Sequence, residues 1–316
     1  MASPLDQLSD GALDWLGGSL DHFDPYSSSA PSATHAKAKA ALELALLCHC
    51  TARLDGSPAP LTGARDLVRT LWGRPDFPDL FDVHPKHASS YGLIYTALAP
   101  DGVDRPSLRL DPAFLSPQGK SPYERIEIRY YADKAGVTHG IEPYAGLVPL
   151  SPLVAYQPSA PEDTAPEDMA PGDAAPEEGD AAPLPTPQAY ALTHTAFYLG
   201  DFGRTRPGLT ADAAAGAQDL VSRMLDHCVA HDRWDLAAEL VLTQFILGTD
   251  PLRTPSGAAA VECLVKAQQS DGAVPGRSAT LRATESDTAA EFFRRAYHTT
   301  LVTALMALII SSGRTS

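Results

Sequence analysis

The sequence predicts an all-α protein of antiparallel helix pairs, and three observations carry that expectation. Apolar residues recur at spacings of three and four almost from end to end. Helix-start residues stand ahead of most of those stretches. No pair of alternating apolar and polar runs suggests two strands meeting. A Pro/Ala/acidic segment at 157–187 interrupts the pattern, with APEDT, APEDM, APGDA and APEEG following one another from Ala160. It holds too little apolar surface to offset chain entropy and is expected to be a disordered, extended spacer.

Taken in order, Leu5, Leu8, Ala12, Leu13, Leu16, Leu20 and Phe23 form one helical stripe over 5–23. Residues 24–33 read as a loop. Thr34 then opens a helix to about Leu54, and Thr62 opens one carrying Leu67, Val68, Leu71 and Trp72. Residues 74–85 are rich in proline and aspartate and read as loop, with a helix at 87–98. Irregular chain at 100–120, with room for a short extended piece, precedes Pro122 at a helix first turn. That helix ends at Gly136, and Glu142 to about Tyr156 reads as one more short helix. After the insert, Pro187 begins a helix, Thr210 caps a long one to about His231, and Asp232 or Arg233 starts the next. Thr254 with Pro255 opens another, and the last covers about 287–311. Loops of moderate length favour antiparallel stacking of neighbours. The expected organisation is an N-terminal helical part at 1–156, the insert at 157–187, and a C-terminal part at 188–316 folding as one unit with the first.

The chain has 316 residues and a net charge of −15. The stretch from Ala160 to Asp180 carries eight acidic and no basic residues, so the remainder is only mildly acidic. No Lys/Arg cluster tracks a phosphate backbone, so nucleic acid is not an expected partner. The start of the chain lacks a basic and apolar leader. The apolar run at 301–310 is shorter than the roughly 20 residues a membrane span needs, so a cytoplasmic protein with no membrane span is expected. Cys48 and Cys50 lie two apart in a helix, on different faces; these, Cys228 and Cys263 read as reduced, largely buried thiols.

Three polar constellations could carry chemistry. His194, Phe197, Tyr198 and Asp201 share one helix side, where imidazole, phenol and carboxylate could relay a proton. Glu127 meets Tyr130 and Tyr131 one turn on, with Arg129 and Asp133 as an ion-pair face. Asp235 and Glu239 sit one turn apart, with His298 two helices later. Carboxylates so placed can hold a divalent cation, but acid near a helix N-terminus is favoured without one, and no metal or cofactor is expected.

The C-terminal third resembles the (α/α) toroids of protein prenyltransferase β subunits and class II terpene cyclases. The resemblance rests on Gln268, Asp271, Gly272 and Gly276, spaced as in the Q-x-x-D-G turn of that repeat, and on Tyr297-His298-Thr299 opening the next helix. It covers about 187–311. It implies that His298 stands where the prenyltransferase zinc histidine stands, with Thr193-His194-Thr195 on an equivalent inner helix. The helix that would supply further zinc ligands runs from Trp234 to Glu239 without a cysteine, and the acidic motifs of the cyclases are absent. The whole chain is also similar to an actinobacterial family with E-x-R-Y and T-H-x-x-F-Y-x-x-D-F-G segments, to which no activity attaches.

Together these readings give an (α/α) toroid-like array around a cavity. The expected function is a small-molecule enzyme of specialised metabolism. It would perform acid–base chemistry (cyclisation, isomerisation or elimination) on a small hydrophobic metabolite. His194, Tyr198, Asp201, His298 and Glu127 are the expected acid–base groups, and Tyr130, Tyr297, Asp235, Glu239 and Phe197 the expected binding groups. The alternative is a non-enzymatic helical scaffold or accessory protein.

Overall fold

The computed structural model describes residues 3–27, 34–52, 54, 61–82, 85–103, 110–155, 182–276 and 288–315. Among them are twelve α-helices and no strand. They are α1 (Pro4–Gly18), α2 (Leu20–Phe23), α3 (Thr34–Thr51), α4 (Leu61–Trp72), α5 (Pro85–Ala97) and α6 (Pro122–Ala135). Then come α7 (Tyr144–Leu147), α8 (Thr186–Leu199), α9 (Ala211–Ala230), α10 (Trp234–Ile246), α11 (Pro255–Ala267) and α12 (Ala289–Thr315). Most of the insert, at 156–181, lies outside the described residues.

Local chemistry sets the boundaries. Ser3 with Asp6 and Ser121 with Glu124 form reciprocal capping boxes, each followed by proline in the first turn. Such caps satisfy backbone N–H groups that a helix start leaves unpaired. Thr210 and Thr254 cap α9 and α11 with their hydroxyls. Gly136, at φ 69°, ends α6 in the left-handed conformation glycine accepts most readily. The structure corrects two expectations. The 5–23 stripe breaks at Ser19 into α1 and α2. Glu142–Tyr156 is not one helix, since Pro149 and Pro152 leave only α7 and a 3₁₀ turn at Val148–Leu150.

Six helices touch in a closed cycle: α3, α5, α6, α8, α10, α12 and back to α3. Outside this ring, α1 packs on α12, α4 on α3, and α9 and α11 on α10. α12 packs against α1, α3 and α10. It is also the one helix among the described residues long and apolar enough to cross a membrane, at Ala289–Gly313, and 61% of its most apolar window is buried in the fold. The ten-residue run at 301–310 therefore understates its apolar length. Cys48, Cys50 and Cys228 are buried, and all four thiols are free.

The turn after α11 pins the ring to α1. Gln268 donates from Nε2 to the Leu8 carbonyl (3.1 Å) and to that of Gly272 (3.2 Å). Asp271 accepts from Ala273 N within its own turn (3.1 Å). Gly272 has φ 94°, and a Cβ there would run into the Gly11 backbone. Gly272→Ala is expected to destabilise the protein by about 3 kcal/mol, combining left-handed strain and overpacking. A denaturation midpoint equal to wild type would show that this close approach is not required.

Candidate functional site

Helix α3 reveals where the ring's inner face lies. From Lys37 to Thr51 every residue is buried except Lys39, Glu43, Leu46 and His49. Their spacing of four, three and three is a single helical stripe. A helix buried on every other side keeps such a stripe open where it borders solvent or a hollow, and the contacts of Glu43 point inward. Glu43 projects from it to His298 of α12, with Oε2 and Nδ1 3.1 Å apart.

From there a line of polar contacts runs through the neighbouring helices. His298 Nε2 lies 3.8 Å from Oε1 of Glu239 on α10, and His194 Nε2 of α8 lies 3.5 Å from the same oxygen. Thr193 donates to the other carboxylate oxygen, Oε2, at 2.5 Å. His194 Nδ1 is 3.2 Å from the Tyr123 hydroxyl of α6. Five of the six ring helices thus contribute to one chain, Glu43–His298–Glu239–His194–Tyr123. Glu239 is only 1% accessible, whereas His194 and His298 keep 32% and 42% of their side-chain surface. Both imidazoles nonetheless lie deep in the protein. Accessible surface at that depth belongs to an internal hollow, with the carboxylate sunk in its wall.

Contacts between adjacent ring helices keep a constant register. Tyr123 meets His194, Glu127 accepts from the Tyr198 hydroxyl (2.9 Å), and Tyr130 donates to Asp201 (2.9 Å). Each pair is 71 residues apart, so α6 and α8 run parallel. The next pair behaves alike: Tyr190 donates to Asp235 and, one turn on, Thr193 to Glu239. α8 and α10 are therefore parallel too, with α9 as the return between them.

The electrostatics follow from this placement. Burial alone would raise the Glu239 carboxyl, but the charges beside it, His194 first and His298 with it, hold it down at about 2. Burial lowers the His298 imidazolium, and the Glu43 charge together with Glu239 more than reverses this, pushing it up to about 10. His194 is also raised, burial being outweighed by Glu239 and then Glu127. Glu43 is lowered despite burial, chiefly by His298. Burial first, then Glu127, keeps the Tyr198 phenol protonated. The arrangement sets two carboxylates, Glu239 and Glu43, against two imidazoles whose protonated forms they favour.

Of the residues expected from sequence, the structure brings His194, His298 and Glu239 together, with Glu127 and Tyr198 one turn further along α6 and α8. Asp201 is elsewhere. It follows α8 in a 3₁₀ turn, at φ 42°, with Phe202 at φ 52° and Gly203 at φ 89°. Besides Tyr130 it takes Lys134 Nζ (2.9 Å) and faces Arg204 (3.6 Å), whose guanidinium also donates to the His49 and Cys50 carbonyls at the end of α3. Burial raises the Asp201 carboxyl, but Lys134 and Tyr130 outweigh it and hold it low. Asp201 and Tyr130 thus clasp α3, α6 and α8 together. Phe197 stacks on Phe202 in the core. Tyr297 stacks on Phe293 and edges onto Phe23, part of the aromatic seam with α1 and α2. Asp235 is engaged by Tyr190, so it does not join Glu239 in a shared ligand set. Among the described residues no group of three or more His, Cys, Asp or Glu is arranged to hold a metal ion.

Sequence reasoning missed Glu43, Tyr123, Thr193 and Lys134. Glu43 carried a signal of sorts, a lone acid in an otherwise apolar helical stretch. Residues 9–308 match a family described as a domain of unknown function (DUF6895). No curated protein and no solved structure matches the chain.

Proposed function

The chain belongs to that family over nearly its whole length, and from this premise we propose that it is a small-molecule enzyme built as an (α/α) toroid. The closed cycle of six helices, parallel from α6 through α8 to α10 with α9 as the outer return between the last two, supports the toroid reading. The observation that carries the function is the chain Glu43–His298–Glu239–His194–Tyr123 at an internal hollow. Buried charges of this kind are costly unless paired, and paired ones with open faces are groups set up for proton transfer. His194 is the proton donor, held protonated by Glu239, and Glu127 on the next helix is the acceptor. The substrate is a hydrophobic metabolite lying along Leu46, Ile94 and Val302. All three are only partly buried and lie on ring helices. The reaction is a cyclisation, isomerisation or elimination, which moves protons and needs no cofactor. The protein acts in the cytoplasm, a reading supported by the 61% burial of the apolar window of α12, and has no nucleic-acid partner.

The test is incubation of purified protein with an apolar cell extract in D2O, followed by mass spectrometry. Wild type is expected to deuterate, rearrange or dehydrate at least one compound. His194→Ala and Glu127→Gln should lose this by about 100-fold or more, the range for a lost general acid or base, while staying folded by circular dichroism. Folded variants with full activity would sink the assignment, and an inert wild type would favour a scaffold.

A further inference from the structure

The geometry points to a hydroxyl oxygen as the substrate group the hollow receives, seated between His194 Nε2, His298 Nε2 and Glu239 Oε1. The distances carry this. The two nitrogens stand 3.5 and 3.8 Å from the shared carboxylate oxygen. A charge-assisted N–H···O bond is about 2.7–2.9 Å long, so both imidazoles reach Glu239 only through long contacts that an oxygen seated between them would shorten and replace. The other end of each ring is already engaged: Nδ1 of His298 by Glu43 and Nδ1 of His194 by Tyr123. The other oxygen of Glu239 is taken by Thr193. Three polar atoms therefore meet only through these long contacts, two N–H donors and one anionic acceptor. A hydroxyl has two lone pairs and one O–H, which is the complement of that set. An ether or carbonyl oxygen lacks the proton that Glu239 would accept. An amine or ammonium meets two donors where it needs acceptors. The accessible surface of both imidazoles gives the group a way in.

The inference rests on the enzyme reading above and narrows it to one of its three reactions. An alcohol held there is placed for dehydration. His194 gives its proton to the oxygen, and the C–O bond breaks with its electron pair leaving on water. Glu127 takes a proton from the adjacent carbon, and that C–H pair becomes the C=C bond. One alcohol yields one alkene and one water. The imidazolium and carboxylate are restored by proton exchange with solvent, and the reverse reaction is hydration.

The probes are benzyl alcohol, cyclohexylmethanol and 1-octanol, each with its methyl ether, titrated while the imidazole signals of His194 and His298 are followed by NMR. At least one alcohol is expected to shift both histidines and to bind about tenfold more tightly than its ether. That preference should vanish in Glu239→Gln, whose amide offers a donor where the hydroxyl proton should go, with circular dichroism reporting that the variant is folded. Equal affinity of alcohol and ether, or no shift of either histidine with any alcohol, overturns the inference. If Glu239→Gln fails to fold, the alcohol–ether comparison in wild type decides alone. Alcohol preference without turnover in D2O would keep the hydroxyl site and reject the enzyme. Turnover of a substrate lacking a hydroxyl would keep the enzyme and reject the site.

Discussion

Replacing Glu239 with glutamine is expected to cost about 3 kcal/mol of stability at pH 6 and to bring the His194 imidazole down to or below its ordinary range. Glu239 is the one fully sunken charge of the relay, and two imidazoliums depend on it. Removing one partner of a buried ion pair costs about 3–5 kcal/mol. The low end applies because the histidines are partly accessible and can shed their protons. Glutamine also presents an amide N–H to two N–H groups, while still accepting from Thr193. The pH profile of the wild type follows from the same shifts. The His298 contribution belongs to a raised group, so it is complete below about pH 6.5 and is lost as pH rises through about 10. The Glu239 contribution belongs to a lowered group, so it is complete above about pH 4.5 and is lost as pH falls through about 2. Stability should therefore form a plateau near pH 4.5–6.5 with a decline on the alkaline side, and Glu239→Gln should flatten both flanks. Urea midpoints across pH 2–10, with histidine titration by NMR, measure this. A variant as stable as wild type, with His194 unmoved, would show that Glu239 does not hold the relay together.

How much of this was legible in the sequence depends on the range of each interaction. Helix boundaries are local, and Pro122 and Gly136 could be read directly. Prolines 149 and 152 are equally local, yet apolar spacing around them still suggested one helix where the backbone makes two short turns. The relay was half legible. His194 and His298 stood out through their matching His-Thr pairs, and Glu239 through its spacing from Asp235. Glu43 did not, because its partner is 255 residues away. Nothing local distinguishes an acid facing a hollow from one facing solvent. Tyr123 and Lys134 were missed for the same reason, their contacts being made by the register of α6 against α8 and its following turn. Phe197 and Tyr297 have contacts on two sides: Phe197 stacks on Phe202 while its ring lies 5.8 Å from that of His194, and Tyr297 stacks on Phe293 beside His298.

Asp201 is where the sequence and the structure assign the most different roles, and its replacement distinguishes them. Asp201→Ala is expected to destabilise the protein by about 2–3 kcal/mol while leaving the His194 and His298 titrations where they are. The backbone at φ 42° is left-handed, a conformation aspartate and asparagine tolerate better than alanine because their short polar side chains can bond locally. Alanine therefore adds strain of about 1 kcal/mol. It also strands Lys134 and the Tyr130 hydroxyl, both half-buried or deeper, without their acceptor, and a lost buried acceptor costs about 1–3 kcal/mol. Arg204 keeps its bonds to the His49 and Cys50 carbonyls, so the end of α3 stays capped. Asp201→Asn retains the left-handed tolerance and an oxygen for Tyr130, and should lose about 1 kcal/mol. Denaturation of the two variants gives this order, with alanine worse than asparagine and both histidines unmoved. The opposite pattern, near-wild-type stability with a shifted His194, would return Asp201 to the relay as a proton-handling group. The expected result makes the left-handed Asp-Phe-Gly turn the clasp that closes α6 and α8 onto α3. The relay then owes its register to a residue that lies outside it.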